Sequence, residues 1–237
     1  MTTARPQPRR TSPGRRPRKP STVIIVLVAI FLAIATALTV IFVSVGNSID
    51  DRTPAAAPSG GVQVTRENSH VLDSVPDAKV TLVEFLDFEC EVCGAFYPYV
   101  EQLREQYAGQ ITFVTRYFPI PSHQNSMNAA VAVEAAAQQG MFEEMYQKMF
   151  QNQKAWGERQ DSQAALFRTY AEALGLDMAA YDAAVADPQT QQRVQQDFDD
   201  GVALGVEGTP TFFLNGQKMT IDSFDDFTAQ IDAALAQ

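Results

Sequence analysis

Cys90 and Cys93 are the only cysteines among 237 residues, and the stretch leading to them limits the fold more than any other. Val80 to Leu86 reads VTLVEFL, a nearly continuous apolar and β-branched run of the kind found in strands buried on both faces. Ala95 to Tyr107 has helix-forming composition, Gly109 follows as a stop, and Ile111 to Phe118 (ITFVTRYF) reads again as a strand. Strand, helix and strand in about forty residues predict a right-handed crossover between parallel strands. The fold class is therefore α/β, and the cysteines lie where the first strand hands over to the helix.

Around that unit the pattern is less uniform. His70 to Leu72 suits a short edge strand. From Ser122 to about Ala186 no strand pattern is visible, only Ala-, Gln-, Met- and Glu-rich segments broken near Gly140, Gly157 and Gly175, which predict several helices. A further helix is expected from Pro188 to Leu204, with Asp187 as N-cap and Pro188 at the first helical position. Thr211 to Leu214, an Asn215-Gly216 turn and Lys218 to Ile221 form a hairpin pattern, and a last helix is expected from Ser223 to Ala236. A small sheet is thus split by a helical insertion at about 122–186, and no internal repeat is visible.

At 26.0 kDa the chain holds one ordinary domain, which excludes repeat arrays and large multidomain enzymes. Its 46% hydrophobic content excludes global disorder. Seven of the 18 basic residues fall in the first 20 positions, ahead of an uncharged run of 23 residues from Val23 to Val45. Such a run is long enough to cross a membrane as a helix. The expected organisation is a basic cytoplasmic tail (1–22), a single transmembrane helix (23–45), a flexible Ala-, Pro-, Gly- and Ser-rich tether (46–61) and a folded extracytoplasmic domain (62–237) at the cell membrane. A cleaved signal peptide is the competing reading, since Ala55, Ala56 and Ala57 supply small residues, but signal cores are usually shorter. No cysteine lies near the span to carry a lipoprotein anchor. Beyond the tail there are 11 basic residues against 28 acidic ones, a balance that repels phosphate and argues against nucleic acid as a partner.

The position of the cysteines says more than their spacing. A helix N-terminus offers unpaired N–H groups and a partial positive charge, so Cys90 becomes the accessible nucleophile. Cys93, one turn on, can attack a mixed disulfide formed at Cys90. A zinc site is disfavoured because the only histidines, His70 and His123, are not at finger spacing. Haem attachment would need a histidine where Gly94 stands, and a purely structural bridge closing so short a loop would add little stability. Neither a metal nor a cofactor other than the redox-active disulfide itself is expected.

The strand, the DFECEVC sequence, the helical insertion and Gly208-Thr209-Pro210-Thr211 before a late hairpin together resemble the DsbA-like branch of the thioredoxin superfamily, from about Val62 to the end. The Ala-rich, membrane-tethered form resembles actinobacterial members. The resemblance implies a thioredoxin-like fold with an inserted helical subdomain. It also implies a cis Pro210 facing the cysteines, with Thr209 offering backbone groups to an extended substrate; an ordinary loop proline at a strand start is the alternative. Glu84, six residues before Cys90, matches a buried acid that moves a proton to or from Cys93; the alternative is a solvated strand face. Strong oxidants of the family commonly carry Pro-His between the cysteines, whereas Glu91 and Val92 stand here. No imidazolium from the dipeptide supports the thiolate, and Asp87, Glu89 and Glu91 add negative charge, so a milder oxidant is expected, with the helix terminus acting in the opposite direction.

His123 resembles a recurrent family position and suits local capping or packing rather than proton transfer. Met141, Met145 and Met149 repeat at helical spacing, which marks core before it marks a binding face. Trp156 suits packing of the insertion. By resemblance the chain is expected to form disulfides in exported cysteine-containing proteins, and to be reoxidised by a quinone-linked membrane partner of the DsbB or vitamin K epoxide reductase-like type. The rivals are a reductase or isomerase of exported thiols, for example in cytochrome c maturation, and a non-catalytic peptide-binding protein. Ser48 to His70 is too short for an added dimerisation domain, so a monomer is expected.

Overall fold

The computed structural model describes residues 62–237. The tail, membrane span and tether expected at 1–61 lie outside the described residues. Among the described residues no helix is long and apolar enough to cross a membrane.

Five strands form one sheet in the order β1-β3-β2-β4-β5: β1 (His70–Asp73), β2 (Val80–Leu86), β3 (Ile111–Tyr117), β4 (Thr211–Leu214) and β5 (Gln217–Lys218). β2 runs parallel to β3 in unbroken register from Val80 opposite Ile111 to Leu86 opposite Tyr117, and antiparallel to β4. Helix α1 (Glu91–Gln106) joins β2 to β3. Between β3 and β4 come α2 (Ser126–Ala137), α3 (Phe142–Trp156), α4 (Ala164–Ala173), α5 (Met178–Ala186) and α6 (Pro188–Ala203), and α7 (Phe224–Leu235) closes the chain.

Strand alternation divides the core in two. Val80, Leu82 and Leu86 of β2, with Phe113 and Tyr117 of β3, face a large cluster built from α1, α7 and helices α2 to α5. Val83, Phe85 and Val114 face a smaller cluster with Phe118, Val206 and Phe213, against which Phe198 of α6 packs. Helix α6 lies close: a Cβ on its Gly201 would stand 2.6 Å from the Phe118 ring and 3.1 Å from that of Phe85. That approach offsets the cost of a mid-helix glycine, about 1 kcal/mol.

The second face also buries charge. Arg116 of β3 is fully enclosed, donates to Asp197 at 2.7 Å and Asp200 at 2.6 Å, and gives its third nitrogen to the Val64 carbonyl at 2.8 Å. Arg66 makes a two-pronged pair with Asp200, and Arg193 stands 2.7 Å from Asp197. Burial opposes ionisation of Asp200, yet the guanidiniums of Arg66 and Arg116 hold it below the usual carboxylate range.

Several local expectations match these elements. Asp187 caps α6 by accepting the Gln189 N–H at 2.9 Å, with Pro188 following. Asn215 and Gly216, at φ 49° and 81°, make the β4–β5 turn. Two boundaries differ. Helix α1 begins at Glu91, not Ala95, with an acid in its positive first turn, so Cys93 lies inside the helix. Strand β5 stops at Lys218 because the chain turns away to the Ser223 cap, whose hydroxyl accepts the Asp226 N–H at 3.1 Å.

Candidate active site

Cys90 is the N-cap residue of α1 and Cys93 lies in its first turn; both are free thiols and both are buried. The Cys93 thiol hydrogen-bonds to Cys90, which pushes the Cys90 thiol down to about 5; burial opposes this, and Thr209 and the N–H groups of Cys93 and Val92 add to it. Cys93 shifts the other way, well above the ordinary thiol range, through burial first and then the hydrogen bond to Cys90 and the charge of Glu84. One sulfur is therefore set up as a thiolate and leaving group, and the other as a thiol that must exchange a proton.

Glu84 is 2% exposed on the α1 face of β2, between Thr115 of β3 and Phe212 of β4. Its Oε2 has no hydrogen-bond partner, and burial, then Glu101 and Cys90, push its carboxyl up to about 8. The alternative of a solvated strand face is excluded by this burial. Antiparallel pairing of Phe85 with Thr211 brings the start of β4 to the end of β2, where the cysteines are. The Thr209-Pro210 bond is cis, and the Thr209 carbonyl accepts from Cys90 Sγ at 3.4 Å. Thus Glu84, Cys90, Cys93, Thr209 and Pro210, chosen from sequence, meet in one place. Glu91 and Val92 lie at its surface, Val92 45% exposed.

Two of the three acids expected to add negative charge near the pair are enclosed, not solvated. Asp87 and Glu89 are buried with their carboxylates tied to N–H groups, Asp87 to those of Glu89 and Ile120, and Glu89 to those of Asn125 and Glu158. Only Glu91 is a solvated charge at the dipeptide. His123 does not stand apart: its Nδ1 lies 2.6 Å from Asp87 Oδ2.

One positioning residue escaped the sequence reading. Gln153 of α3 reaches back to donate to the carbonyls of Phe88 and Cys90, both at 2.8 Å. Its Oε1 occupies the place a Cβ on Gly94 would take. Gly94 was the available signal, but a glycine after the pair does not say which distant amide fills the space. Met145, Met149 and Trp156 pack the core of the insertion, as their spacing and apolarity imply. Among the described residues no group of three or more His, Cys, Asp or Glu could hold a metal ion.

Comparison with known proteins adds a family to this geometry. A family model described as thioredoxin matches residues 69–233. The Na(+)/H(+) antiporter NhaA 1 of Mycobacterium sp. (strain KMS) is 34% identical over 158 residues, 65% of this chain but 25% of the antiporter. The chain spans about a quarter of the length of the curated relatives it matches. Among solved structures, oxidised BdbD from Bacillus subtilis superposes with a TM-score of 0.65 at 20% identity, covering 74% of this chain and 97% of that one. Alpha-DsbA1 of Wolbachia pipientis gives 0.63 at 20% identity, covering 73% and 93%. At such identity the likeness is one of fold. The family match spans the strands, the helix carrying the cysteines and the insertion between β3 and β4, and the chain belongs to the thioredoxin family.

Proposed function

We propose that the chain is a thiol-disulfide oxidoreductase that forms disulfides in exported proteins through Cys90 and Cys93. The observation that carries this reading is the placement of Cys90 at the N-terminus of α1 against the Thr209 carbonyl, with Cys93 buried one turn on and the Glu84 Oε2 enclosed without a hydrogen-bond partner. A substrate thiolate attacks Cys90 Sγ of the oxidised pair; the S–S bond breaks and Cys93 leaves with the electron pair. Glu84, protonated below about pH 8, supplies the proton that Cys93 takes up. A second substrate thiolate then attacks the substrate sulfur of the mixed disulfide and expels Cys90 as a thiolate. The substrate gains a disulfide and the pair holds two more electrons. An easily formed Cys90 thiolate stabilises the reduced pair, which favours this direction over reduction of substrates.

Thr209 and Pro210 border the sulfur and offer the backbone against which an extended segment would lie. Electrons leave the pair to a quinone-linked membrane oxidase of the DsbB or vitamin K epoxide reductase-like type. The basic leader and the 23-residue apolar run support a domain held outside the cytoplasm by a single span. Export-dependent reporters fused after Gly61 should be active, and a soluble mature form beginning near Ala57 would remove the anchor. Cys93→Ser should accumulate mixed disulfides with exported proteins and Cys90→Ser none. Thiol trapping in cells should find the pair mainly oxidised; a mainly reduced pair would assign it to reduction or isomerisation.

A further inference from the structure

Between β2 and the cysteines the chain turns through Asp87, Phe88 and Glu89, and the loop leaving β3 returns to this turn at His123. Asp87 holds both ends of a short path. Its Oδ2 meets His123 Nδ1 at 2.6 Å and accepts the Ile120 N–H at 3.0 Å, while its main-chain carbonyl accepts the Cys90 N–H at 3.2 Å. Asp87 has no exposed side chain, whereas that of His123 is 25% exposed, so the imidazole reaches water and the carboxylate does not. Among the described residues His123 Nε2 has no hydrogen-bond partner, which leaves it free to take a proton from solvent.

We propose that His123, joined through Asp87 to the main chain of Cys90, is a positioning residue whose imidazolium stabilises the Cys90 thiolate and supplies the cation that Glu91 and Val92 do not. The proposal rests on the thiol-disulfide reading of the pair. The charged groups whose fields act on His123 are Asp87, in contact with the ring, and then Cys90 and Glu89. Its other neighbours, Pro119, Pro121 and Met127 with Gln195 and Phe198 of α6, carry no charge. Burial disfavours a charged ring, but the hydrogen bond and charge of Asp87, then Cys90 and Glu89, raise its proton affinity above that of an ordinary histidine. Asp87 is pushed up to about 6 by burial, against the pull of its N–H donors and of His123, so near neutral pH the imidazole has an ionised carboxylate beside it.

Linkage makes the proposal testable without a variant. If the imidazolium stabilises the thiolate, the thiolate stabilises the imidazolium by the same free energy. Oxidation of the pair removes the thiolate and should lower the His123 midpoint by about half a unit or more. His70, the only other histidine, opens β1, bonds Glu134 and Tyr117, and serves as an internal control. The experiment is an NMR titration of both rings in the full chain in detergent, reduced and oxidised. A His123 midpoint that falls on oxidation while that of His70 stays fixed is the expected result. In a second arm, His123→Gln should raise the Cys90 midpoint, read from thiolate absorbance, by a matching shift. A pair that cycles between redox forms while His123 does not move overturns the inference alone. A pair that cannot form a disulfide overturns the redox reading and the inference with it.

Discussion

On the α6 side of the sheet, Arg116 is enclosed with Asp197 and Asp200, and each buried charge has a counter-charge at 2.6 or 2.7 Å. On the α1 side, Glu84 is enclosed to a similar degree and its Oε2 has no hydrogen-bond partner. The two strands that carry these residues are neighbours, so position in the sheet does not explain the contrast. A neutralised set holds one ionisation state and fixes α6 to the sheet. An orphan carboxyl beside two sulfurs keeps its proton until something nearby calls for it, at a cost to stability. Buried charge thus marks structure on one face and chemistry on the other, and the partner list separates them.

Substitutions should divide the same way. Cys90→Ser is expected to lower exchange by on the order of 10³-fold or more while leaving the unfolding midpoint in place. A midpoint that fell with the activity would break the division. Asp197→Leu, which leaves Arg116 buried without one of its carboxylates, should cost about 3 to 5 kcal/mol in denaturant unfolding, with the exchange rate of the folded fraction retained.

Glu84→Gln should move both readouts in opposite directions. Exchange is expected to slow about 100-fold at the step where Cys93 gains or loses a proton, and the fold to become more stable. The sign follows from the raised carboxyl. Between the ordinary value of 4.5 and about 8 the folded chain holds a proton that the unfolded chain has released, so stability falls as pH rises through that window. At pH 7 the gain from the glutamine is at most about 3.5 kcal/mol, at 1.4 kcal/mol per unit, and the variant's stability should lose this slope. Asp200 predicts the reverse: its lowered value contributes stability that is present above the unfolded-state range and lost as pH falls through the folded one. The smallest effect is expected at the surface of the site, where Val92→His should make the pair more oxidising by roughly 30 mV per 1.4 kcal/mol of thiolate stabilisation, read by equilibration against glutathione.

Much of this was legible in the sequence for physical reasons. VTLVEFL could be assigned to a central strand because few structures bury so continuous a β-branched run, and that strand fixed where the cysteines fall. Glu84 and Pro210 needed the resemblance, since neither apolar flanks nor a Thr-Pro pair says what lies opposite. The enclosure of Asp87 and Glu89 was not legible because local sequence weighs formal charges equally, whereas the loop at 119–125 returns to bond both acids and ties Asp87 to the His123 imidazole. Gln153 could not be found at all: its 63-residue separation from Cys90 is closed only by the packing of α3.

That last contact bears on how this protein can be altered. Gly94 and Gln153 share one space, and the amide that fills it also holds the carbonyls on either side of Glu89. A side chain at 94 would have to displace the amide, and the turn bearing Cys90 would lose two of its supports. The inserted helices are consequently no detachable ornament on a smaller redox domain. Trimming them, or grafting the Cys90–Cys93 loop onto a scaffold without α3, would transplant the sulfurs and leave their mounting behind.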